Sequence, residues 1–210
     1  MNSNLQKDNL NFGIIGNCKS SALINEDSSI DWSCLPEFDS PSVFCKILDE
    51  KIGGSFKIDC DSSYSIDQKY MEKTCILITT FKNSENEFEV IDFMPRYQKE
   101  NGIYYSPPQI VRALKLIKGK PKFRVLYDPK LSFSMGKTNS YIKENFIVSV
   151  LNEDRYETLY LYTDLNKNKI LNTSEITLTE NHFMTISYNE KIIIPGIEST
   201  FLELEKTKVY

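Results

Sequence analysis

Four acidic residues of this chain are the main candidates for acid–base chemistry. Asp31, Glu37 and Asp39 lie close together in sequence, and Asp92 follows two apolar residues further along. Glycoside hydrolysis is carried out by a pair of such carboxyl groups, one of them acting as a general acid. Aspartates beside turns more often hydrogen-bond the backbone, so we favour structural roles for Asp31 and Asp92. For Glu37 and Asp39 a structural and a functional role both remain open.

The segment around Glu37 and Asp39 is stiffened by two prolines. Pro36 and Pro41 hold their own φ at about −65° and favour extended geometry at the residues before them. The same segment contains Trp32, the only tryptophan of the chain. A lone tryptophan is more often part of the core than a platform on which a sugar stacks. The sequence therefore predicts a locally stiff loop that is either a buried corner of the fold or an exposed surface.

Other kinds of catalytic or metal chemistry have little support. His182 is the only histidine, and its strand-like surroundings favour a satisfied sheet-edge residue over a catalytic base. The five cysteines are scattered without a C-x-x-C pair, so we expect reduced thiols and no metal site. Residues 13–17 hold too few glycines for a phosphate-binding loop and are predicted to form a turn between strands. No cofactor is expected.

Length and charge limit the class of protein. A chain of 210 residues with 40% hydrophobic residues can form one large domain with a real core. The formal charge of −4 provides no basic surface for nucleic acid and no polybasic anchor for a membrane. The polar start of the chain lacks the apolar centre of a signal peptide, and no apolar run approaches a membrane span. We expect a cytoplasmic protein.

Alternating and β-branched runs predict many strands joined by turns. A break at Gly53 and Gly54 precedes a strand with period-2 alternation, and residues 75–81 with a turn at 84–86 predict a hairpin. Residues 110–117 are apolar on both faces and are predicted to form a central strand. Further strands are predicted at residues 123–127, 146–151, 158–162, 182–188 and 192–194. The pattern indicates an all-β fold, a large antiparallel β-sandwich.

Two short helices are predicted beside these strands. Residues 43–50 could form one, with Ser42 as its N-cap. Residues 197–209 carry Ile197, Phe201 and Leu204 at helical spacing, after a break at Pro195 and Gly196. The second helix would be the last element of the chain.

The order of several motifs resembles the N-terminal domain of bacterial and archaeal glycoside hydrolase family 15 proteins, the glucoamylase- and trehalase-like enzymes. The blocks that carry the resemblance are residues 15–18, 22–24, 29–36, 38–44, 48–49, 53–56, 90–95, 112–119, 123–125 and 128–129. They cover most of the chain and occur in the family's order. The resemblance implies a super-sandwich that precedes an (α/α)6 barrel, and it implies that the barrel holds the two catalytic glutamates of an inverting hydrolysis.

The resemblance also implies which parts of such an enzyme this chain contains. Residues 1–195 correspond to the sandwich, and residues 196–210 correspond to the start of a linker helix toward a barrel that the chain lacks. The catalytic acid and base then have no counterpart, so the chain alone is predicted to be inactive. Glu37 stands where many relatives have Arg. Residues expected to border the substrate site or to contact the barrel are Trp32, Pro36, Glu37, Phe38, Asp39, Ser40, Asp92 and Met94.

Two functions remain open at this point. In the first, the chain supports and borders the active site of a separate catalytic barrel that acts on an α-glucan or on trehalose. In the second, it is a free-standing carbohydrate-binding or interaction module, or a truncated fragment without function. An exposed apolar stripe on the C-terminal helix would indicate that a barrel is missing.

Overall fold

Within the described residues the chain folds into many short strands, two short α-helices and one 3-10 turn at Ser132–Ser134. The computed structural model describes residues 11–151 and 157–209. In chain order the elements are β1 (Phe12–Gly16), β2 (Ser21–Asn25), β3 (Ser29–Cys34), β4 (Ser42–Phe44), β5 (Phe56–Asp59), β6 (Ser65–Tyr70), β7 (Leu77–Lys82), β8 (Glu87–Phe93), β9 (Tyr97–Gln98), β10 (Tyr104–Tyr105), β11 (Gln109–Lys118), β12 (Lys122–Tyr127), β13 (Thr138–Lys143), β14 (Phe146–Leu151), β15 (Thr158–Thr163), α1 (Lys167–Leu171), β16 (Ile176–Thr177), β17 (His182–Tyr188) and α2 (Ile197–Thr207).

The strands form two large antiparallel sheets and one separate hairpin. The first sheet has seven strands in the order β1-β2-β3-β5-β12-β16, with β4 paired to β3. The second has eight strands in the order β13-β14-β15-β17-β11-β8-β7-β6, and among the described strands β9 and β10 pair only with each other. This arrangement confirms the predicted all-β sandwich. The predicted hairpin is β7 and β8, and the predicted central strand is β11, which lies between β8 and β17.

The main core lies between the two large sheets. Alternate residues of each strand point into it, as the period-2 pattern requires, and most of them are aliphatic or aromatic. Phe88 is central, because its ring stacks on Phe81 of the same sheet at 4.9 Å and on Phe123 of the other sheet at 5.7 Å between centroids. Aromatic side chains therefore connect the layers directly.

The outer face of the eight-stranded sheet is covered by the C-terminal segment. Leu204 and Phe201 of α2 pack on one apolar cluster of this face, and Ile192 and Ile197 pack on a second. The helix predicted at residues 197–209 is confirmed, but its apolar stripe is covered by the sheet. The helix therefore does not present the exposed apolar stripe that would indicate a missing barrel.

Several local predictions were wrong. Residues 43–50 do not form a helix: they contain β4 and a series of turns, held by backbone bonds from Cys45 N to Gly53 O (2.9 Å) and from Lys130 N to Val43 O (2.9 Å). Residues 13–16 belong to β1. Residues 192–194 form no strand: Ile192 packs on the sheet's outer face, whereas Ile193 and Ile194 are exposed. His182 begins an internal strand, β17, and does not lie at a sheet edge.

No helix in the described part of the chain is long and apolar enough to span a membrane.

Candidate functional site

The proline-stiffened loop of residues 35–41 connects β3 to β4 and projects from a buried base. Leu35 is fully buried, whereas Phe38 at the tip is 59% exposed. Ser40 closes the turn, since Glu37 N donates to Ser40 Oγ (3.1 Å) and Ser40 N donates to Glu37 O (3.2 Å). Of the two alternatives from the sequence, the structure shows an exposed surface on a buried anchor.

Trp32 lies at the side of this loop, on β3, and is partly exposed. Its ring contacts that of Phe133, with centroids 6.4 Å apart and planes tilted by 39°. Phe133 is itself 42% exposed. Trp32 is therefore neither a fully buried core residue nor an isolated platform. It is one half of an aromatic pair that reaches the surface.

Phe133 is presented by a turn with unusual backbone geometry. Ser132, Phe133 and Ser134 all have left-handed φ values, 53°, 56° and 60°. For a residue other than glycine this conformation costs about 1–2 kcal/mol. The surrounding structure compensates in part, because Ser134 Oγ donates to Ile52 O at 2.9 Å. Strained backbone of this kind is concentrated at functional sites, so the turn is a candidate for a functional role.

A third segment, residues 46–54, joins these two. Ile47 N donates to Asp31 O at 3.2 Å, which ties the segment to β3, and Ile52 accepts the Ser134 bond. We call the exposed apolar side chains of the three segments the loop surface: Phe38, Ile47, Leu48, Ile52, Phe133 and Met135. Exposed apolar side chains that form one patch are typical of an interaction site.

Most members of the loop surface were not found from the sequence. Leu48, Ile52, Phe133 and Met135 lie in turns, where apolar residues follow neither a strand period nor a helix period. Gly54 is the signal that could have indicated the third segment, residues 46–54. Its φ is 65°, and a Cβ there would overlap the Asp128 carbonyl oxygen, so this turn requires glycine.

Asp31 has a structural role in the strand that supports the loop. It is buried, and it accepts hydrogen bonds from Ser29 Oγ (2.5 Å) and Asn25 Nδ2 (3.0 Å). Lys46 Nζ lies 3.9 Å from its carboxylate. Burial raises the pKa of Asp31, and the bonds from Ser29 and Asn25 and the charge of Lys46 oppose that shift. Its partners hold the β2–β3 hairpin together.

Asp92 and Met94 lie apart from the other predicted site residues, in the interior of the domain. Asp92 accepts two hydrogen bonds from Arg112, at 2.7 and 3.1 Å. Burial raises the pKa of Asp92, and the charge of Arg112 beside it opposes that shift. Because neither Asp92 nor Met94 reaches the surface, the structure brings together only Trp32, Pro36, Glu37, Phe38, Asp39 and Ser40 of the predicted set.

Glu37 and Asp39, the two carboxylates of this loop, are both exposed, so bulk water solvates them. Among the described residues, no group of three or more His, Cys, Asp or Glu side chains could hold a metal ion. His182 Nδ1 lies 3.1 Å from Asp164 Oδ2, an ion pair only when the histidine is protonated.

Comparisons with known proteins found a matching family model and several curated relatives. The family model for the trehalase-like N-terminal domain matches residues 9–154. The chain is 32% identical over 139 residues to trehalase 2 of Sulfolobus acidocaldarius, an alignment that covers 66% of the chain and 22% of that protein. It is 44% identical over 87 residues to a trehalase of Thermoplasma volcanium (40% of the chain, 14% of the relative).

A third relative, a trehalase of Thermoplasma acidophilum, is 37% identical over 116 residues, covering 53% of the chain and 19% of the relative. The chain thus spans at most about a fifth of the length of these curated relatives. No solved structure matches it.

Proposed function

Because the chain belongs to the trehalase-like N-terminal domain family, we propose that it is the non-catalytic N-terminal domain of a glycoside hydrolase family 15-like α-glucoside hydrolase. The enzyme would be of the glucoamylase, glucodextranase or trehalase type. The observation that carries this proposal is the family match over residues 9–154 in a chain that spans about a fifth of the trehalases it resembles. The proposed partner is a catalytic (α/α)6 barrel, as a domain or as a subunit.

The loop surface is the proposed contact with this barrel. Trp32, Pro36, Glu37, Phe38, Asp39 and Ser40 would border the substrate pocket or pack on the barrel, and Phe133 would extend that contact. A specific protein interface buries about 1,200–2,000 Å² and is most apolar at its centre. The exposed apolar side chains of the loop surface would form such a centre. Asp92 and Met94 are buried and would not touch the barrel. They would stabilise the eight-stranded sheet, which packs against the sheet that contains β3.

The domain boundary and location belong to the same proposal. Residues 1–195 would be the sandwich, and residues 196–210 the start of a linker helix. The covered stripe of α2 supports a helix that is anchored on the sandwich before it continues toward the barrel. The cytoplasmic location stays a prediction.

The test is hydrolysis of trehalose, maltose and maltooligosaccharides by the chain alone and mixed with a candidate barrel. We expect no turnover by the chain alone and turnover by the mixture. The variant Phe38→Ser/Phe133→Ser should weaken association with the barrel, whereas Ile193→Ser, at a residue 96% exposed outside the loop surface, should not. Appreciable turnover by the isolated chain would refute the proposal.

A free-standing carbohydrate-binding module is the second candidate, and the surface-reaching Trp32–Phe133 pair is the observation that favours it. Sugars stack on exposed aromatic rings of this kind. Calorimetric titration with maltooligosaccharides separates the two candidates, since the module must bind sugar without a barrel. Binding that appears only when a barrel is added favours the accessory domain.

A further inference from the structure

A cavity lies between the β9–β10 hairpin and the C-terminal end of α2, and the loop surface contributes no residue to its lining. Its volume is about 650 Å³, within the range of about 300–1,000 Å³ that is usual for small-molecule sites. Tyr97 and Lys99 line it from the hairpin, with Glu100 at the turn, and Lys206 and Val209 line it from the helix end. The cavity is therefore built by two elements that are distant in sequence.

Aromatic rings position the two lysines of this cavity. Tyr97 and Tyr105 are cross-strand partners, with ring centroids 4.9 Å apart. Lys206 Nζ lies 5.2 Å from the centroid of Tyr97, and Lys99 Nζ lies 4.6 Å from that of Tyr105. A ring attracts an ammonium group without cancelling its charge. Each lysine is thus oriented while its charge remains available.

The carboxylates nearby leave both lysines without an ion pair. Within residues 11–151 and 157–209, no carboxylate lies within 4.0 Å of Lys99 Nζ or Lys206 Nζ. The carboxylate of Glu203 interacts with the charge of Lys206 at longer range. It is partly buried and accepts a hydrogen bond from Tyr97 of the hairpin. Glu100 is exposed at the rim. The lining holds two cations in a protein whose formal charge is −4.

We propose that this cavity binds a small anionic molecule, one that carries a phosphate or carboxylate group on an uncharged body. Lys99 and Lys206 supply the counter-charges, and Tyr97 and Val209 contact the body. The two rings hold the ammonium groups in place before the ligand arrives, which lowers the entropy lost on binding. The loop surface, which is the proposed contact with a barrel, contributes no residue to this site.

Isothermal titration calorimetry of the 210-residue chain at constant ionic strength tests the site. The probes are inorganic phosphate, citrate, glucose 6-phosphate and glucose. We expect binding of at least one anion, no binding of glucose, and a loss of about tenfold or more in affinity for Lys99→Gln/Lys206→Gln. The control, Lys73→Gln/Lys137→Gln, makes the same change in net charge at exposed lysines outside the cavity and should bind as the unmodified chain does.

Each outcome decides the proposal. Binding of phosphate or glucose 6-phosphate without citrate supports a phosphoryl ligand, and binding of citrate without phosphate supports a carboxylate ligand. The site is refuted if no anion binds, if glucose binds as well as its phosphate, or if the control pair loses as much affinity as the cavity pair. None of these results bears on barrel association, which is read by a separate measurement.

Discussion

Arg112 Nε donates to Asp92 Oδ1 over 2.7 Å, and neither side chain exposes any surface. The two residues are cross-strand partners on β11 and β8. The other guanidinium nitrogens cross to the opposite sheet, where they donate to the carbonyl oxygens of Phe56 and Ser28 at 2.6 Å and to Ser28 Oγ at 2.7 Å. One side chain thus connects the two layers at the start of β3, the strand that leads to the exposed loop.

Removing one partner of this pair is expected to destabilise the fold strongly. Arg112→Met leaves the buried carboxylate of Asp92 without its counter-charge, and Asp92→Leu leaves the buried guanidinium of Arg112 without its own. Each variant should therefore lower the free energy of unfolding by about 3–5 kcal/mol. The double variant should recover part of that loss, because apolar side chains then replace the whole pair. Urea unfolding followed by circular dichroism measures these changes.

Arg124→Met is the control for that experiment. Arg124 is exposed on β12, so its replacement should change stability by no more than about 0.5 kcal/mol. Single variants of the buried pair that lose less than about 1 kcal/mol would show that the link between the layers is not important for stability.

The fold was predictable where short-range periodicity decides the structure. Strand β11 was recognised because its residues are apolar on both faces, and α2 because Ile197, Phe201 and Leu204 recur at helical spacing. Residues 43–50 were predicted wrongly because local preference favoured a helix. Backbone bonds to Gly53 and Lys130, which no local pattern reveals, hold that segment as a strand and turns.

Of the candidate site, only the first segment, the loop of residues 35–41, was predictable from the sequence. Prolines and Trp32 marked residues 35–41, but Phe133 is about 100 positions from Trp32 and lies in a left-handed turn without glycine. Arg112 could be noticed as a charge in an apolar strand. Its partners Ser28 and Phe56 are 84 and 56 positions away, so only the sheet topology assigns them.

Gly54 should tolerate no side chain. Gly54→Ala places a Cβ against the Asp128 carbonyl oxygen at a φ of 65°, which adds overlap to left-handed strain and should cost about 2–5 kcal/mol. Gly102→Ala is the matched control, because φ there is 80° but the nearest atom would be 3.8 Å away. It should cost only about 1–2 kcal/mol. Equal losses in urea unfolding would contradict the overlap at Gly54.

Relief of strain at Ser132 should stabilise the turn that presents Phe133. Ser132→Gly and Ser132→Ala both remove the hydroxyl, but only alanine keeps a Cβ at the left-handed φ of 53°. The glycine variant should therefore be more stable than the alanine variant by about 1 kcal/mol. Thermal and urea unfolding of both variants measure this difference, and a more stable alanine variant would disprove the strain.

Glu203 should make stability depend on pH. Burial raises its pKa above the ordinary 4.5, with Lys206 and the Tyr97 bond opposing. Between the unfolded and folded pKa values the native state binds more protons than the unfolded state, so this residue's contribution to stability falls as pH rises through that interval. Glu203→Gln removes the titration. Its free energy of unfolding relative to the unmodified chain should therefore rise as pH increases from below 4.5 toward neutrality.

Urea unfolding of both proteins at a series of pH values from 4 to 8 checks this dependence. Glu180→Gln, at an exposed glutamate in the turn before β17, is the control, and its difference from the unmodified chain should vary little with pH. Glutamine can still bond to Tyr97, so the comparison isolates the charge of Glu203 from its hydrogen bond. A difference for Glu203→Gln that stays constant across the series would show that burial does not disfavour the ionised carboxylate.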